Sequence, residues 1–340
     1  MYDAVVAGAG PAGAAAAKAL CEAGRRVLLV ERFRLPRYKS CSGILIKKSL
    51  GLVKQYFGEE VPSAVCCAPV ENRGMIFTDD KGGEYAFRQE GRNVWRGAFD
   101  GWLVAKAAES GAELLDGTAA IACEEENGAV WVTLQNRERC KVRARYLLDC
   151  EGVTGALKRK LAPGPAQYIT TFQTFNEGRI ALDPHYFYAY LQPELSEYDA
   201  WFNVKDGFLV LGVSVRDAKR AEYFYRRFLS YMEERHGLCT GREERREKWL
   251  MPRIPPGCPI YYGQGRVLCA GEAAGVLNPM GEGVSLESGH HAAGALMEHW
   301  NEPERALARY RERTNALRAY MRRQWSFTAG MAETFREMRT

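Results

Sequence analysis

The chain has 340 residues, 46% hydrophobic and 26% charged, with a net charge of +5. That length suits about two domains, and that composition excludes a disordered, fibrous or membrane-embedded chain. The positive excess sits in residues 304–340, where nine arginines face four glutamates; the balanced remainder carries no basic patch interleaved with stacking aromatics, which argues against a nucleic-acid partner.

Residues 4–31, AVVAGAGPAGAAAAKALCEAGRRVLLVE, read as a strand, a glycine turn, an alanine-rich helix, a second strand and a terminal acid. Gly8, Gly10 and Gly13 stand in G-x-G-x-x-G spacing. Gly8 permits the tight turn, Gly10 lets the backbone approach a pyrophosphate, and Gly13 lets helix and strand pack closely. Pro11 suits the first helical position, where its missing N–H costs nothing. Ala12 and Gly13 follow in that first turn, whose free N–H groups and positive end favour a phosphate. Gly24 is placed as the helix C-cap. Glu31 falls 18 residues after Gly13, at the strand tip, where a carboxylate accepts both hydroxyls of an adenosine ribose, with Arg32 beside it. The stretch describes a dinucleotide site.

Further along, 44–57 reads as a helix, and 65–78 and 84–88 as strands joined by the turn Asp79–Gly83. Residues 96–110 are amphipathic, with Phe99, Leu103 and Ala107 on one face. Strands follow at 112–115, 118–124, 129–135 and 140–149. From about 165 to 215 the pattern becomes alternating and aromatic, with Tyr186, Tyr188 and Tyr190 on one face of a strand and Trp201 and Phe202 on the next. A helix fits 217–236, prolines extend MPRIPPGCP, and RVLCAGEAAG returns to an apolar strand running into a glycine turn. Helices fit 283–300 and 303–325. A mixed sheet therefore interrupts a nucleotide fold that resumes near residue 264.

Ten cysteines are scattered without a C-x-x-C pair, and no histidine stands at metal-ligand spacing from two of them, so no metal site is expected and the usage is that of a reducing cytoplasm. The strand beginning at residue 2 leaves no room for a signal peptide. The longest uncharged run, Ala4 to Ala17, is too short to span a bilayer. The basic C-terminal helix suits either an anionic membrane surface, touched peripherally, or an acidic partner; a plainly solvated helix is the alternative.

Two later segments identify the dinucleotide. LLDCEGVTGALKRKL (147–161) and VLCAGEAAGVLNPMGEGVSLESG (267–289), together with GAGPAG, resemble the three fingerprints of FAD-dependent oxidoreductases of the aromatic-hydroxylase (glutathione-reductase type two) fold, and within that group the geranylgeranyl reductase family. The segment from Pro36 to Gly43 resembles the family's basic-Cys-Gly-Gly stretch. Arg96 with Phe99, Asp100 and Leu103 resembles its R-x-x-F-D-x-x-L helix, and Tyr198 to Lys205 is a degenerate echo of its Y-x-W-x-F-P-K motif.

The resemblance implies an α/β fold. A Rossmann-like FAD-binding domain (1–64, 92–162 and 260–325) would be interleaved with a smaller α+β substrate domain on a mixed or antiparallel sheet (65–91 and 163–259), followed by a tail (326–340). FAD would lie with its pyrophosphate near Pro11 and its ribose on Glu31. Cys41, Ser42 and Gly43 would lie against the isoalloxazine ring, and Arg96 would reach the phosphates or ring edge. Glu151-Gly152 and Gly271-Glu272 would hold the cofactor, Glu272 by a ribityl hydroxyl. Gly281, Glu282, Gly283 and Val284 would aim a helix start at the N1–C2=O edge. Cys41 would donate a proton or serve as a small spacer. Tyr188, Tyr190 and Trp201 would line an elongated apolar slot for a small-molecule or lipid substrate.

Departures stand beside the match. Glu151 and Glu272 occupy positions where the family has aspartate, Gly155 stands where serine is common, and the NPMGEG turn is one residue short. The implied activity is saturation of C=C bonds in a polyprenyl group of a lipid or pigment precursor. A flavin monooxygenase or halogenase on an aromatic substrate is one alternative, although no W-x-W-x-I-P segment is present. A flavoprotein passing electrons to a redox partner protein is another. With no second Rossmann fingerprint, an NAD(P)H donor would bind only transiently; a ferredoxin-type donor would serve equally.

Overall fold

A computed structural model describes residues 1–161, 167–255, 257–279, 281 and 283–333. In chain order its strands and helices are β1 (Tyr2–Ala7), α1 (Pro11–Glu22), β2 (Val27–Val30), β3 (Ile44–Ile46), α2 (Lys47–Phe57), β4 (Cys66–Thr78), β5 (Glu84–Val94), α3 (Arg96–Glu109), β6 (Glu113–Leu115), β7 (Ala119–Glu126), β8 (Ala129–Gln135), β9 (Arg139–Asp149), α4 (Ala156–Leu161), β10 (Tyr168–Arg179), β11 (Tyr186–Tyr190), β12 (Ala200–Lys205), β13 (Phe208–Val215), α5 (Ala221–His236), β14 (Cys239–Pro252), β15 (Gly263–Gln264), β16 (Val267–Cys269), α6 (Val284–Glu298), α7 (Pro303–Arg313) and α8 (Asn315–Met331).

The first sheet runs β15-β16-β9-β1-β2-β6, with the β7–β8 ribbon attached through β8 to β9. The pairings β16–β9, β9–β1, β1–β2 and β2–β6 are parallel. AVVA and VLLV are buried throughout, as strands covered on both faces must be. One face packs on α1, α3 and α6, and the other on β7–β8 and Leu157 of α4. This brings the carboxyl ends of β1, β9 and β16 to one edge, where a doubly wound sheet places its ligand crevice.

The second sheet runs β14-β10-β13-β12-β11-β4-β5-β3 and is antiparallel apart from β11–β4. Ile44–Ile46 and the end of β5 join it, although the sequence places both segments with the nucleotide half. Helix α5 covers one face through Phe224, Tyr225, Phe228 and Met232. The parity of the strands decides what that face contains: Tyr188 and Tyr190 of β11 and Phe202 of β12 all pack under α5. Tyr188 and Tyr190 therefore point into the core beneath α5 and away from the sheet's open face, which corrects their expected place in a substrate slot. Tyr190 packs on Phe228 and Tyr231, and its hydroxyl lies 3.2 Å from His236 Nε2. Trp201 has the opposite parity and lies flat over Gly212, where a Cβ would stand 2.1 Å from the indole.

Two further differences have physical causes. β14 is a full strand, yet GREERREK shows no apolar alternation. It is an edge strand paired along β10, and its charges stay in water or over aromatic rings, with Arg246 and Lys248 above Phe172. The last helical stretch breaks at Thr314, whose hydroxyl turns back to the Tyr310 carbonyl at 2.8 Å, and α8 then continues to Met331. No helix among the described residues is long and apolar enough to cross a membrane.

Candidate functional site

A groove lies between the carboxyl edge of the first sheet and the open face of the second, enclosing about 1340 Å³ of non-atom space that includes open solvent. Gly8, Gly10, Pro11 and Ala12 line it, as do Glu31, Arg32, Cys41, Gly43, Arg96, Glu151, Gly152, Gly271, Glu272, Gly281, Gly283 and Val284. Three distant glycine turns thus share one wall. Gly13 and Ser42 stand outside that lining: Gly13 is buried behind the turn, and Ser42 is half-buried between Cys41 and Gly43. Glu282 lies outside the described residues.

The first turn is shaped by close approach. Gly8 has φ +98°, and a Cβ there would sit 2.4 Å from the Cys150 carbonyl oxygen. A Cβ on Gly13 would be 1.8 Å from the Gly8 oxygen, so the helix start is pressed against the strand end. At Gly10 a Cβ would meet only Arg37, at 3.5 Å. Its backbone therefore faces the groove, at a helix N-terminus with no side-chain cap. Free N–H groups beside an open wall are what a pyrophosphate requires.

Glu31 is 4% exposed and already well supplied with donors. Its Oε2 accepts from Ala9 N and Arg37 Nε, both at 3.1 Å, and its Oε1 accepts from Phe33 N at 3.1 Å. One side of Oε1 is left for a ribose hydroxyl. Arg32 is pinned to the second fingerprint, its Nη2 donating to Thr154 Oγ1 at 2.8 Å.

In that second fingerprint the Glu151 carboxylate turns back over its own loop and accepts from Leu157 N at 2.9 Å, capping α4. Burial, followed by the nearby Asp149 carboxylate, pushes Glu151 up to about 7; burial alone pushes Asp149 up to about 6. Asp149 Oδ2 has no hydrogen-bond partner. A Cβ at residue 155 would lie 2.6 Å from Glu151 Cβ and 2.8 Å from its Oε2, so the two departures of this motif sit in mutual contact.

In the third fingerprint Gly271 (φ +63°) packs on Ala12 and donates to Ser288 Oγ at 3.1 Å. Glu272 Oε1 accepts from Lys39 at 3.2 Å, while Lys158 holds the Glu272 carbonyl at 3.0 Å. Burial alone would raise the Glu272 carboxyl, but Lys39, Arg96 and Lys158 outweigh it and hold the group below its ordinary value. Helix α6 then starts at Gly283 (φ +69°) without a side-chain cap, its end open to the groove.

Residues 36–43 cross between the two sheets. A row across the open face of the second sheet, Trp201–Gly212–Gln173–Glu247, anchors them. Gln173 Nε2 donates to Ser40 Oγ at 3.1 Å, and Tyr38 OH donates to Glu247 at 2.7 Å. Cys41 lines the groove with Gly43 N donating to its Sγ at 3.4 Å, and Arg96 lines the same groove. The Lys205 ammonium, 1% exposed, lies behind, donating to the carbonyls of Val94 (3.0 Å) and Cys41 (3.4 Å). Burial by itself raises the Cys41 thiol, but the Arg96 charge, the Gly43 N–H and Lys205 overcome it and hold the thiol below its ordinary value.

Several wall residues carried no site assignment from the sequence: Trp249 and the apolar Ile44, Leu45 and Leu277; Arg37 and Lys39, which the sequence offers as groups that lower the Cys41 pKa or bind a lipid phosphate, line the wall too. Trp249 comes from the unrecognised edge strand. A signal for Asp100 was present, since Arg96 and Asp100 stand at i, i+4 on one helix face. Trp201, expected in the slot, is not among the lining residues. No cluster of three His, Cys, Asp or Glu suited to a metal occurs among the described residues. The Gly10 wall and the uncapped starts of α1 and α6 fit the extended dinucleotide that the sequence implies.

Comparison with known proteins bears on the same residues. Residues 1–237 match the FAD binding domain family. The chain is 29% identical over 328 residues to digeranylgeranylglycerophospholipid reductase 1 of Methanopyrus kandleri, covering 92% of this chain and 85% of that protein. It is 30% identical over 158 residues to an uncharacterized protein of Methanosarcina barkeri, a match spanning only 39% of that relative's length. A solved structure of a geranylgeranyl bacteriochlorophyll reductase-like protein from Thermoplasma acidophilum superposes with a TM-score of 0.80 at 19% identity, covering 97% of this chain and 87% of that one, which establishes the shared fold. The chain belongs to the FAD binding domain family of FAD-dependent oxidoreductases, with FAD as its cofactor.

Proposed function

We propose that the protein reduces C=C bonds in a polyprenyl group of a lipid or pigment precursor, drawing electrons from NAD(P)H bound transiently or from a ferredoxin-type donor. The observation that carries this reading is the composition of the groove wall: Ile44, Leu45, Trp249 and Leu277 offer an apolar surface in the groove that Cys41 also lines. The relative of matching length, named as a digeranylgeranylglycerophospholipid reductase, supports it.

Bound, reduced FAD supplies a hydride. The chain's own task is to hold the alkene and complete the addition with a proton. The apolar wall excludes water from the alkene and carries no nucleophile to compete with it. A proton leaving Cys41 Sγ for the second alkene carbon would leave a thiolate already favoured by Arg96, Gly43 N–H and Lys205, so donation at Sγ is eased. Hydride and proton together add one H₂ per bond, and Cys41 is reprotonated from solvent. The helix starts at Pro11 and Val284 would favour negative charge on the cofactor's pyrophosphate and on its reduced ring.

The experiment is anaerobic incubation of the FAD-loaded, dithionite-reduced protein with a geranylgeranyl-bearing glycerophospholipid. Mass spectrometry should find one H₂ gained per bond saturated. Unchanged lipid, with oxygen consumption coupled to NAD(P)H and an aromatic substrate, would instead establish a monooxygenase or halogenase.

A further inference from the structure

Four buried charges alternate along the floor of the groove. Glu31 pairs with Arg37 Nε at 3.1 Å, and Arg37 Nη1 reaches Asp100 Oδ2 at 3.0 Å. Asp100 takes both arms of Arg96, Nε on Oδ1 at 3.0 Å and Nη2 on Oδ2 at 3.2 Å. Arg96 and Cys41 line the same groove, and the Arg96 charge is foremost among the influences that overcome burial and hold the Cys41 thiol below its ordinary value. The four side chains are 5%, 11%, 1% and 14% exposed. A chain this buried survives only if each charge meets its opposite, and removing one member leaves its neighbours unpaired.

The charge count points to what stands at the end of the chain. Glu31, Arg37, Asp100 and Arg96 sum to zero. Lys205, on the far side of Cys41, donates to two carbonyls and pairs with no carboxylate among the described residues. A thiolate at Cys41 is the anion that this end of the chain lacks. Of the other charged groups nearby, Lys39 and Glu272 pair with each other, while Glu247 accepts from Tyr38 OH and acts on Lys205 without an ion-pair contact.

We propose that Asp100 is a positioning residue for Cys41: it clamps the Arg96 guanidinium against Sγ, and Arg37 ties that clamp to Glu31 at the adenosine end, so that one ion chain joins the two ends of the cofactor groove. Arg37 is fixed from the other side as well, because a Cβ at Gly97 on the first turn of α3 would lie 2.8 Å from the Arg37 carbonyl oxygen. The inference rests on the reading of Cys41 as the proton-donating group, but its test involves no lipid.

The test is the pH profile of Cys41 alkylation by iodoacetamide, read on the Cys41 peptide by mass spectrometry, in flavin-loaded and flavin-free protein. The exposed Cys140 serves as internal reference. Positioning and simple charge predict opposite signs for Asp100→Asn. If Asp100 positions Arg96, the fork is lost, the midpoint rises and alkylation at pH 7 slows about tenfold. If Asp100 acts only as a negative charge, its removal leaves Arg96 more effective, the midpoint falls and alkylation quickens. A faster or unchanged profile overturns the proposal. Should Asp100→Asn fail to fold, Arg37→Gln leaves the Asp100–Arg96 fork intact and cuts the link to Glu31. It should raise the midpoint by less and in the same direction; no change there overturns the link.

Discussion

The two ends of the groove are built on different logic. At the end expected to take the adenosine, the backbone shapes the wall: glycines at 8, 10 and 13 bring main chain to main chain, and Glu31 stands one strand away. At the ring end side chains from four separate stretches converge on Cys41: residues 37–43, Arg96, Lys205 and the edge strand that brings Trp249. A backbone site is written as local spacing, whereas a side-chain site is written in strand parity and register, which no short motif records.

The largest effect that would break this contrast belongs at the adenosine end. Gly13→Ala places a Cβ 1.8 Å from the Gly8 oxygen, a clash with backbone rather than with the end of a side chain able to yield. The variant should lose about 3 kcal/mol or more and be purified colourless, as read by thermal unfolding and flavin absorbance. A yellow, equally stable Gly13→Ala would remove the close-packing account of the turn.

Next comes the pH response of the second fingerprint. The carboxyl groups of Glu151 and Asp149 sit near 7 and 6 in the folded protein, against ordinary values near 4. Raised carboxyls favour the folded state while protonated, so this contribution is present at low pH and is lost as pH rises from about 4 through 7. Glu151→Gln retains the acceptor for Leu157 N and removes the titration. It should be the more stable protein at pH 8, by about 2 kcal/mol, with the difference closing toward pH 4 in urea titrations.

At the ring end, Cys41→Ala should keep the flavin and lose about a hundredfold in turnover of the identified lipid, measured in single-turnover reoxidation of the reduced protein. Full turnover would leave Cys41 as a spacer. The finest comparison concerns the tyrosines. Trp249→Ala should raise KM for the lipid about tenfold by removing apolar wall. Tyr190→Phe should leave KM unchanged and cost about 1 kcal/mol of stability, since its hydroxyl only meets His236 under α5. Equal effects on KM would mean that both faces of the second sheet meet substrate.

Legibility followed the same division. The strand–turn–helix at residues 2–22, the acid at 31 and the two later glycine turns were readable, because each depends on nearest neighbours and on φ values that glycine favours, as at Gly8 and Gly271. Alternation correctly separated Tyr188 and Tyr190 from the opposite face of β11 but could not say which face looks at the cofactor, since α5 is distant in sequence from the strand it covers. β14 escaped notice because an edge strand in water has no apolar stripe to display.

From its residues alone, this chain was bound to form a dinucleotide cradle, because small residues at set intervals let main chain approach main chain; that the dinucleotide is FAD followed from the resemblance of three fingerprints to a known family. What surrounds the sulfur of Cys41 was decided only in three dimensions. Asp100, Arg96, Arg37 and Lys205 meet there because two sheets close on each other and exclude water, and buried charges must then find one another wherever they lie along the chain.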